Sequence, residues 1–358
     1  MSQSSSPPRS LLGMSPEDLR EAVSALGHQP YRADQICQWI YRQGARSLEE
    51  MKNLPGTLRQ ALAETLPLDV VPPARVLQSA DGTKKYLFPV AGGAVEAALI
   101  PDGERSTLCL STQVGCRRAC SFCQTGRQGF QGNLTVSEIL NQYHSIPERS
   151  QITNIVFMGM GEPLDNSDAT FQALDRFTDP QGYGLSARRI TLSTVGIHPQ
   201  LEEFFARSPV ELAISLHNPF PRERQKIMPV ERDNPIEETL RLIRRDRQDR
   251  TRRISFEYTL LEGFNDTPAH VEGLAKLLNG LRLRINLIPY HTIEGSPLRP
   301  TSAEGIEKFS RELQNKGMAT FVRRSRGEDI NAACGLLWTK TPLEETPQRV
   351  CGDGNQEG

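Results

Sequence analysis

The sequence predicts an α/β fold: a partial (β/α)6 barrel of the TIM type, preceded by a small N-terminal helical domain and a short antiparallel β extension. Three patterns in the 358 residues carry that expectation. From about residue 101, strand-like runs alternate with helix-length amphipathic stretches, which implies a parallel sheet with helices packed outside it. Six or seven such units over about 240 residues suit a complete or partial barrel better than a small nucleotide-binding fold. Ahead of them, residues 76–100 alternate in polarity around glycine turns, and residues 11–70 read as amphipathic helices.

In chain order, residues 1–10 (MSQSSSPPRS) lack the apolar core of a signal peptide and read as a disordered lead. Ser15 is placed to cap a helix whose first turn holds Pro16, Glu17 and Asp18. The run from Tyr31 to Arg42 puts Ile36, Trp39 and Ile40 on one apolar face, with Cys37 beside them as a core residue. Pro67 and the Pro72-Pro73 pair close this helical domain, 11–72. The β extension, 73–100, contains Lys84–Pro89 and Val95–Ile100 on either side of Gly92-Gly93. The barrel core is expected over 101–340. Its strands are Thr107–Ser111, Asn154–Met158, Arg189–Thr194, Glu211–Leu216, Ser255–Leu260, Arg284–Ile288 and Thr320–Arg323, and its helices include Thr135–Tyr143, Pro235–Arg247, Pro268–Leu278 and Ala303–Asn315. The tail, 341–358, is polar and reads as loose.

Composition narrows the function classes. With 37% hydrophobic and 24% charged residues the chain can bury a sizeable core. A balance of 42 Lys+Arg against 43 Asp+Glu excludes nucleic-acid binding by bulk positive charge and leaves local basic patches open. No apolar run approaches the ~20 residues of a membrane span. A cytoplasmic protein with no membrane partner is expected. Seven cysteines (Cys37, Cys109, Cys116, Cys120, Cys123, Cys334, Cys351) scattered over this length do not match a secreted disulfide framework.

Three of the cysteines fall within Gly115-Cys116-Arg117-Arg118-Ala119-Cys120-Ser121-Phe122-Cys123, just beyond the first barrel strand, where barrel enzymes place their chemistry. Three soft thiolates so close select zinc or an iron–sulfur cluster. Structural zinc wants a fourth ligand, and no nearby Cys or His supplies one. A 4Fe–4S cubane held by three cysteines keeps one iron open for a substrate or cofactor. Buried structural thiols are the bland alternative.

The C-x-x-x-C-x-x-C spacing with an aromatic residue before the third cysteine resembles the radical S-adenosylmethionine (SAM) superfamily. That resemblance implies a single 4Fe–4S cluster on Cys116, Cys120 and Cys123, whose open iron chelates SAM and yields a 5′-deoxyadenosyl radical. Phe157-Met158-Gly159-Met160-Gly161-Glu162-Pro163 then resembles the superfamily's motif for the SAM amino group, through Gly161 and Glu162. Strand ends carrying Ser193 and Ser215-Leu216-His217 are candidate SAM contacts, although Ser193, Ser215 or His217 taken singly is more often a satisfied core or turn residue.

Together with Thr107–Cys116 and Gly129-Phe130, the segment Arg326-Gly327-Glu328-Asp329-Ile330-Asn331-Ala332-Ala333-Cys334-Gly335 resembles the RlmN/Cfr family of radical SAM RNA methyltransferases, from about Leu11 to Trp338. Membership implies two SAM molecules per turnover. One methylates Cys334; the radical from the second removes hydrogen from that S-methyl group, and the carbon radical adds to an RNA adenine. Cys109 then resolves the protein–RNA crosslink by a disulfide with Cys334, and Glu96 matches the family's proton acceptor. His291 stands where the family commonly has asparagine, as a further SAM contact. The implied product is methylation at carbon 2 of an adenine in 23S rRNA and of adenine 37 in tRNA, by a monomer fed by a flavodoxin- or ferredoxin-type reductant. The alternatives are carbon-8 methylation by the Cfr branch, or a non-catalytic iron–sulfur or RNA-binding protein. For the RNA, two arginine groups are candidates: the run Arg241 to Arg253, which equally suits a solvated helix face, and Arg323, Arg324 and Arg326 near Cys334. Arg20, Tyr31, Arg32, Arg42 and Arg46 of the helical domain are a candidate second grip, and the target adenine is expected to leave its stack.

Overall fold

The computed structural model describes residues 10–246 and 252–338. Three helices open it: α1 (Pro16–Ala25), α2 (Arg32–Cys37), which runs on into a π-helical turn at Gln38–Gln43, and α3 (Gly56–Thr65). Ser15 caps α1, its hydroxyl accepting from the Asp18 N–H at 3.0 Å. The apolar stripes of these helices (Leu19 and Val23; Ile36 and Ile40; Leu58 and Leu62) belong to the same buried core as the barrel.

The strands are β1 (Arg75–Gln78), β2 (Lys84–Val90), β3 (Gly93–Asp102), β4 (Arg105–Cys109), β5 (Gln113–Gly115), β6 (Phe130–Asn133), β7 (Asn154–Phe157), β8 (Ile190–Thr194), β9 (Glu211–Ser215), β10 (Ile254–Leu260), β11 (Arg284–Pro289) and β12 (Thr320–Val322). Ten of them form one sheet in the order β1-β2-β3-β4-β7-β8-β9-β10-β11-β12. The first three joints are antiparallel and the remaining six are parallel. The antiparallel strands are therefore continuous with the barrel. Between and after the parallel strands run α4 (Gln124–Gln128), α5 (Val136–His144), α6 (Ser167–Thr178), α7 (His198–Arg207), α8 (Pro221–Ile227), α9 (Ile236–Asp246), α10 (Pro268–Leu277) and α11 (Ala303–Asn315). Among the described residues nothing pairs β12 back onto β4, so the barrel is partial, as the sequence predicts.

Alternation along the strands decides what faces the lumen. On β10, Phe256 and Tyr258 are buried in the apolar core, whereas the alternate residues Ser255, Glu257 and Thr259 line the two central cavities described below. Among the described residues no helix is long and apolar enough to cross a membrane.

Several arginines expected to grip RNA have other partners. Arg42 donates to the Tyr183 carbonyl at 3.1 Å, Arg46 to the Ser145 carbonyl at 3.1 Å and Arg20 to Gln181 at 3.4 Å, so these three tie the N-terminal helices to the barrel. Arg32 lies over Tyr31 and bonds Gln35. In the second run, Arg241 pairs with Glu238 and Arg245 with Glu202; Arg244 donates to the Leu277 carbonyl, and buried Arg252 to the carbonyls of Ser208 and Val210. That is the solvated-helix-face reading. Arg247, Arg250 and Cys351 lie outside the described residues.

Candidate active site at the mouth of the barrel

The two-stranded β5–β6 ribbon carries the cysteine loop. Its register shifts at Gly115, which sits at φ +72° in close approach to the Gly129 carbonyl, where a Cβ would collide. The Cys116 N–H donates to that same carbonyl at 3.0 Å, and the Cys123 N–H to the Cys120 carbonyl at 3.1 Å. Cys116, Cys120 and Cys123 line one cavity of about 160 Å³. Burial pushes the Cys116 thiol up to about 12 and raises Cys120 and Cys123 as well, Cys120 further through the charges of the other two. Three such thiols become thiolates together only beside strong positive charge. No three acidic, histidine or cysteine side chains among the described residues gather around a single metal ion. A cubane asks for something different, because each thiolate binds a different iron.

The same cavity is lined by Gly161, Glu162, Ser193, Ser215, His217 and His291. Gly161 is at φ +98°, where a Cβ would meet Gln113. Buried Glu162 accepts from the Leu164 N–H (3.0 Å), the Thr194 hydroxyl (2.6 Å) and the Val195 N–H (2.9 Å). Burial nevertheless pushes its carboxyl up to about 7. The His217 Nδ1 accepts from the Thr259 N–H at 2.9 Å, and burial drives its pKa down to about 3. The ring is therefore neutral and carries its proton on Nε2. His291 bonds Ser325 at 3.0 Å through Nε2, and burial lowers its pKa.

Leu216 does not join them. Its side chain is fully buried, its N–H donates to the Glu257 carbonyl and its own carbonyl accepts from Arg224, so neither backbone group is turned to the cavity. Thr194, Val195, Glu257 and Tyr290 line the cavity without having been singled out in the sequence. For Glu257 a signal existed, a carboxylate at the centre of an apolar strand.

Cys334 arrives from the far end of the chain. The Gln124 N–H donates to the Gly335 carbonyl at 2.8 Å and the Thr125 hydroxyl to the Leu337 carbonyl at 2.6 Å, so the Cys334 loop is bonded directly to the helix behind the cysteine cluster. Cys334 borders two cavities: the one just described, and a larger one of about 590 Å³ that also holds Cys109. Both thiols are free, so the expected disulfide is not formed here. Cys109 packs with Ala98 and Ala332, and burial pushes its thiol up to about 12. Glu96 is buried, paired with Lys85 at 2.9 Å and accepting from the Trp338 N–H at 2.9 Å. It lines neither cavity but clasps the chain four residues beyond Cys334. Among the described residues the non-glycine residues at positive φ are Ala119, His217 and Asn331, which fall in the cysteine loop, the cavity wall and the Cys334 loop. Backbone strain of this kind persists where surrounding structure over-determines it.

Residues 110–278 match the Radical SAM superfamily, and residues 9–67 match the Ribosomal RNA large subunit methyltransferase N-terminal domain. A probable dual-specificity RNA methyltransferase RlmN of Porphyromonas gingivalis is 47% identical over 330 residues, covering 92% of this chain and 96% of that protein. The chain belongs to the RlmN family of radical SAM RNA methyltransferases. A dual-specificity RNA methyltransferase RlmN of Syntrophobacter fumaroxidans is 44% identical over 325 residues (89% of this chain, 95% of that one). The crystal structure of a radical SAM methyltransferase from Sphaerobacter thermophilus superposes with a TM-score of 0.88 at 41% identity, covering 92% of this chain and 99% of that one.

RlmN-family membership makes the protein a methyltransferase that uses a 4Fe–4S cluster on three cysteines together with SAM. The donor set fits. One buried and two half-buried thiols share a cavity with the carboxylates of Glu162 and Glu257, two histidines and two serines, the polar groups that an amino acid and a ribose require.

Proposed function

We propose that the protein methylates carbon 2 of an adenine in 23S rRNA, and adenine 37 of tRNA, through a methylated Cys334. The single observation that carries this reading is that Cys334 is, among the described residues, the one cysteine on the wall common to the two cavities, where it stands with Met158, Ile288, Pro289, His291 and Arg323. One contains Cys116, Cys120, Cys123 and Glu162; the other contains Cys109 and a set of arginines. A group that must collect a methyl on one side and deliver it to RNA on the other belongs at that boundary.

Cys116, Cys120 and Cys123 would hold the cluster, and Gly161, Glu162, Ser193, Ser215, His217 and His291 would orient SAM. The cluster with SAM supplies a methyl group for Cys334 and then the radical that activates it. Glu162 holds the SAM ammonium group through a charge-assisted hydrogen bond, its own orientation fixed by Thr194 and Val195. Cys109 lines the same cavity as Cys334, which supports its forming the disulfide that releases the product. Glu96 accepts the adenine proton: burial raises its pKa and favours the protonated product state. Because Trp338 clasps Glu96 in this conformation, that step needs the Cys334 loop to shift. The enzyme is expected to act as a cytoplasmic monomer, with a flavodoxin- or ferredoxin-type reductant.

The two-substrate reading is supported by the dual-specificity description carried by the RlmN relatives. The test is anaerobic reconstitution with iron and sulfide, then reductant, SAM and an rRNA fragment or tRNA, followed by mass spectrometry of the nucleosides. Methyl at carbon 2 of adenosine in both RNAs is expected. Methyl at carbon 8 overturns the regiochemistry, and iron-replete protein that modifies neither RNA overturns the reading.

A further inference from the structure

The larger cavity has features that cysteine chemistry does not require. Arg105, Arg253, Arg284, Arg323, Arg324 and Arg326 line it, on a chain whose net charge is -1. Its one acidic lining residue, Asp102, is taken by Arg326 at 3.2 Å across the open side of the barrel. Arg323 pairs with Glu257. Arg105, Arg253, Arg284 and Arg324 form no ion pair among the described residues. The cavity thus runs as a cationic trough from the barrel's open side to Cys109 and Cys334.

At its rim lies an aromatic ring. Phe321, on edge strand β12, is 50% exposed, and the Arg284 guanidinium lies 5.4 Å from its ring centroid. Phe321 lies on β12 and Arg323 just beyond its end, and both border the trough. A lone exposed phenylalanine is ordinary. An exposed ring beside a guanidinium, in a groove with four cations outside any ion pair among the described residues, is the chemistry that holds single-stranded nucleic acid: cations follow the phosphates and bases stack on the ring.

We propose that Phe321, backed by Arg284, is the stacking platform for an unpaired base next to the target adenine, with Arg253, Arg284 and Arg324 carrying the adjoining phosphates. The assignment rests on the RNA-methyltransferase reading above. An adenine that leaves its stack to reach Cys334 abandons its neighbour's face, and the Phe321 ring replaces it.

The test uses the reconstituted full chain and a short single-stranded RNA labelled with fluorescein, with 2-aminopurine beside a central adenosine. Phe321→Ala weakens binding about tenfold, as loss of ~1.4 kcal/mol of stacking requires, and abolishes the quenching of 2-aminopurine that stacking causes. Phe321→Trp restores both. Phe321→Ala leaves the salt dependence unaltered, whereas Arg284→Gln lowers its logarithmic slope by about 0.7, one phosphate's worth. Affinity of Phe321→Ala within about twofold of wild type, unchanged quenching, or an equal loss toward a fully paired RNA duplex overturns the platform. If wild-type protein methylates RNA while Phe321→Ala binds it normally, only the platform falls. If wild-type protein methylates no RNA, the functional reading falls instead.

Discussion

At the scale of residues, the account turns on Cys334 and on what stands around it. Cys334→Ala should remove methylation entirely while leaving the brown absorbance of the cluster, because Cys334 lies outside the three-cysteine loop; turnover by that variant would refute the covalent route. Cys109→Ala should let methyl transfer proceed to the crosslink and stop there, so a protein–RNA adduct should accumulate and run as a retarded band on a denaturing gel. Absence of the adduct in a variant that has lost turnover would remove Cys109 from the resolving role. The sequence made these cysteines legible because cysteine chemistry depends on residue type and spacing. It could not reveal that Glu96 is buried against Lys85 and Trp338, since the partner lies 242 positions away. Leu216 turns inward while its neighbours Ser215 and His217 line the cavity, as alternation at the end of a strand places them.

At the scale of elements, the ends of β8 and β9 carry Ser193, Ser215 and His217, and one side chain holds these ends together. Arg224, fully buried, donates to the carbonyls of Val195, Ser215 and Leu216 and pairs with Glu231. Arg224→Met strands the Glu231 charge and should cost about 3–5 kcal/mol of stability, read from the denaturant midpoint. A loss under about 1 kcal/mol would mean that the pair is dispensable. His144 is a second such link. It bonds the Ala45 carbonyl at 2.9 Å and Tyr183 at 3.0 Å, joining the helical segment to the barrel, and burial drives its pKa down to about 4. Because the folded pKa is below the unfolded value, its contribution is complete above about pH 6.5 and is lost as pH falls toward 4. By pH 5 the loss is about 2 kcal/mol. His144→Gln should therefore flatten the fall in stability between pH 7 and pH 5, and an unchanged pH profile would contradict the assignment. The strands were legible because a parallel barrel buries short apolar runs such as Glu211–Ser215 on both faces. First-strand placement was less accurate. The apolar run suggested Thr107–Ser111, but the sheet holds Arg105–Cys109, because Ser111 leaves it to bond Glu96 and Met160.

At the scale of the whole molecule, a near-neutral chain gathers six arginines in one trough. Composition excluded bulk attraction to RNA, yet the six arginines of the trough come from four separate stretches of sequence, at 105, 253, 284 and 323–326. Only the last of these was visible as a cluster near Cys334. The run from Arg241 was the more conspicuous signal, and most of its described members proved to be bonded within the barrel's outer layer. Clustering along the chain reports helix faces; clustering across a barrel reports topology, which only the fold supplies.

The central claim, that the methyl carbon passes through Cys334, has a direct test. Reconstituted enzyme is loaded with SAM bearing an isotopically labelled methyl group, freed of it, and then given RNA, reductant and unlabelled SAM for a single turnover. The account predicts that the peptide containing Cys334 first gains the mass of one labelled methyl, and that the label then appears in the RNA adenine. An unmodified Cys334, or a first RNA product carrying only unlabelled methyl, would contradict it.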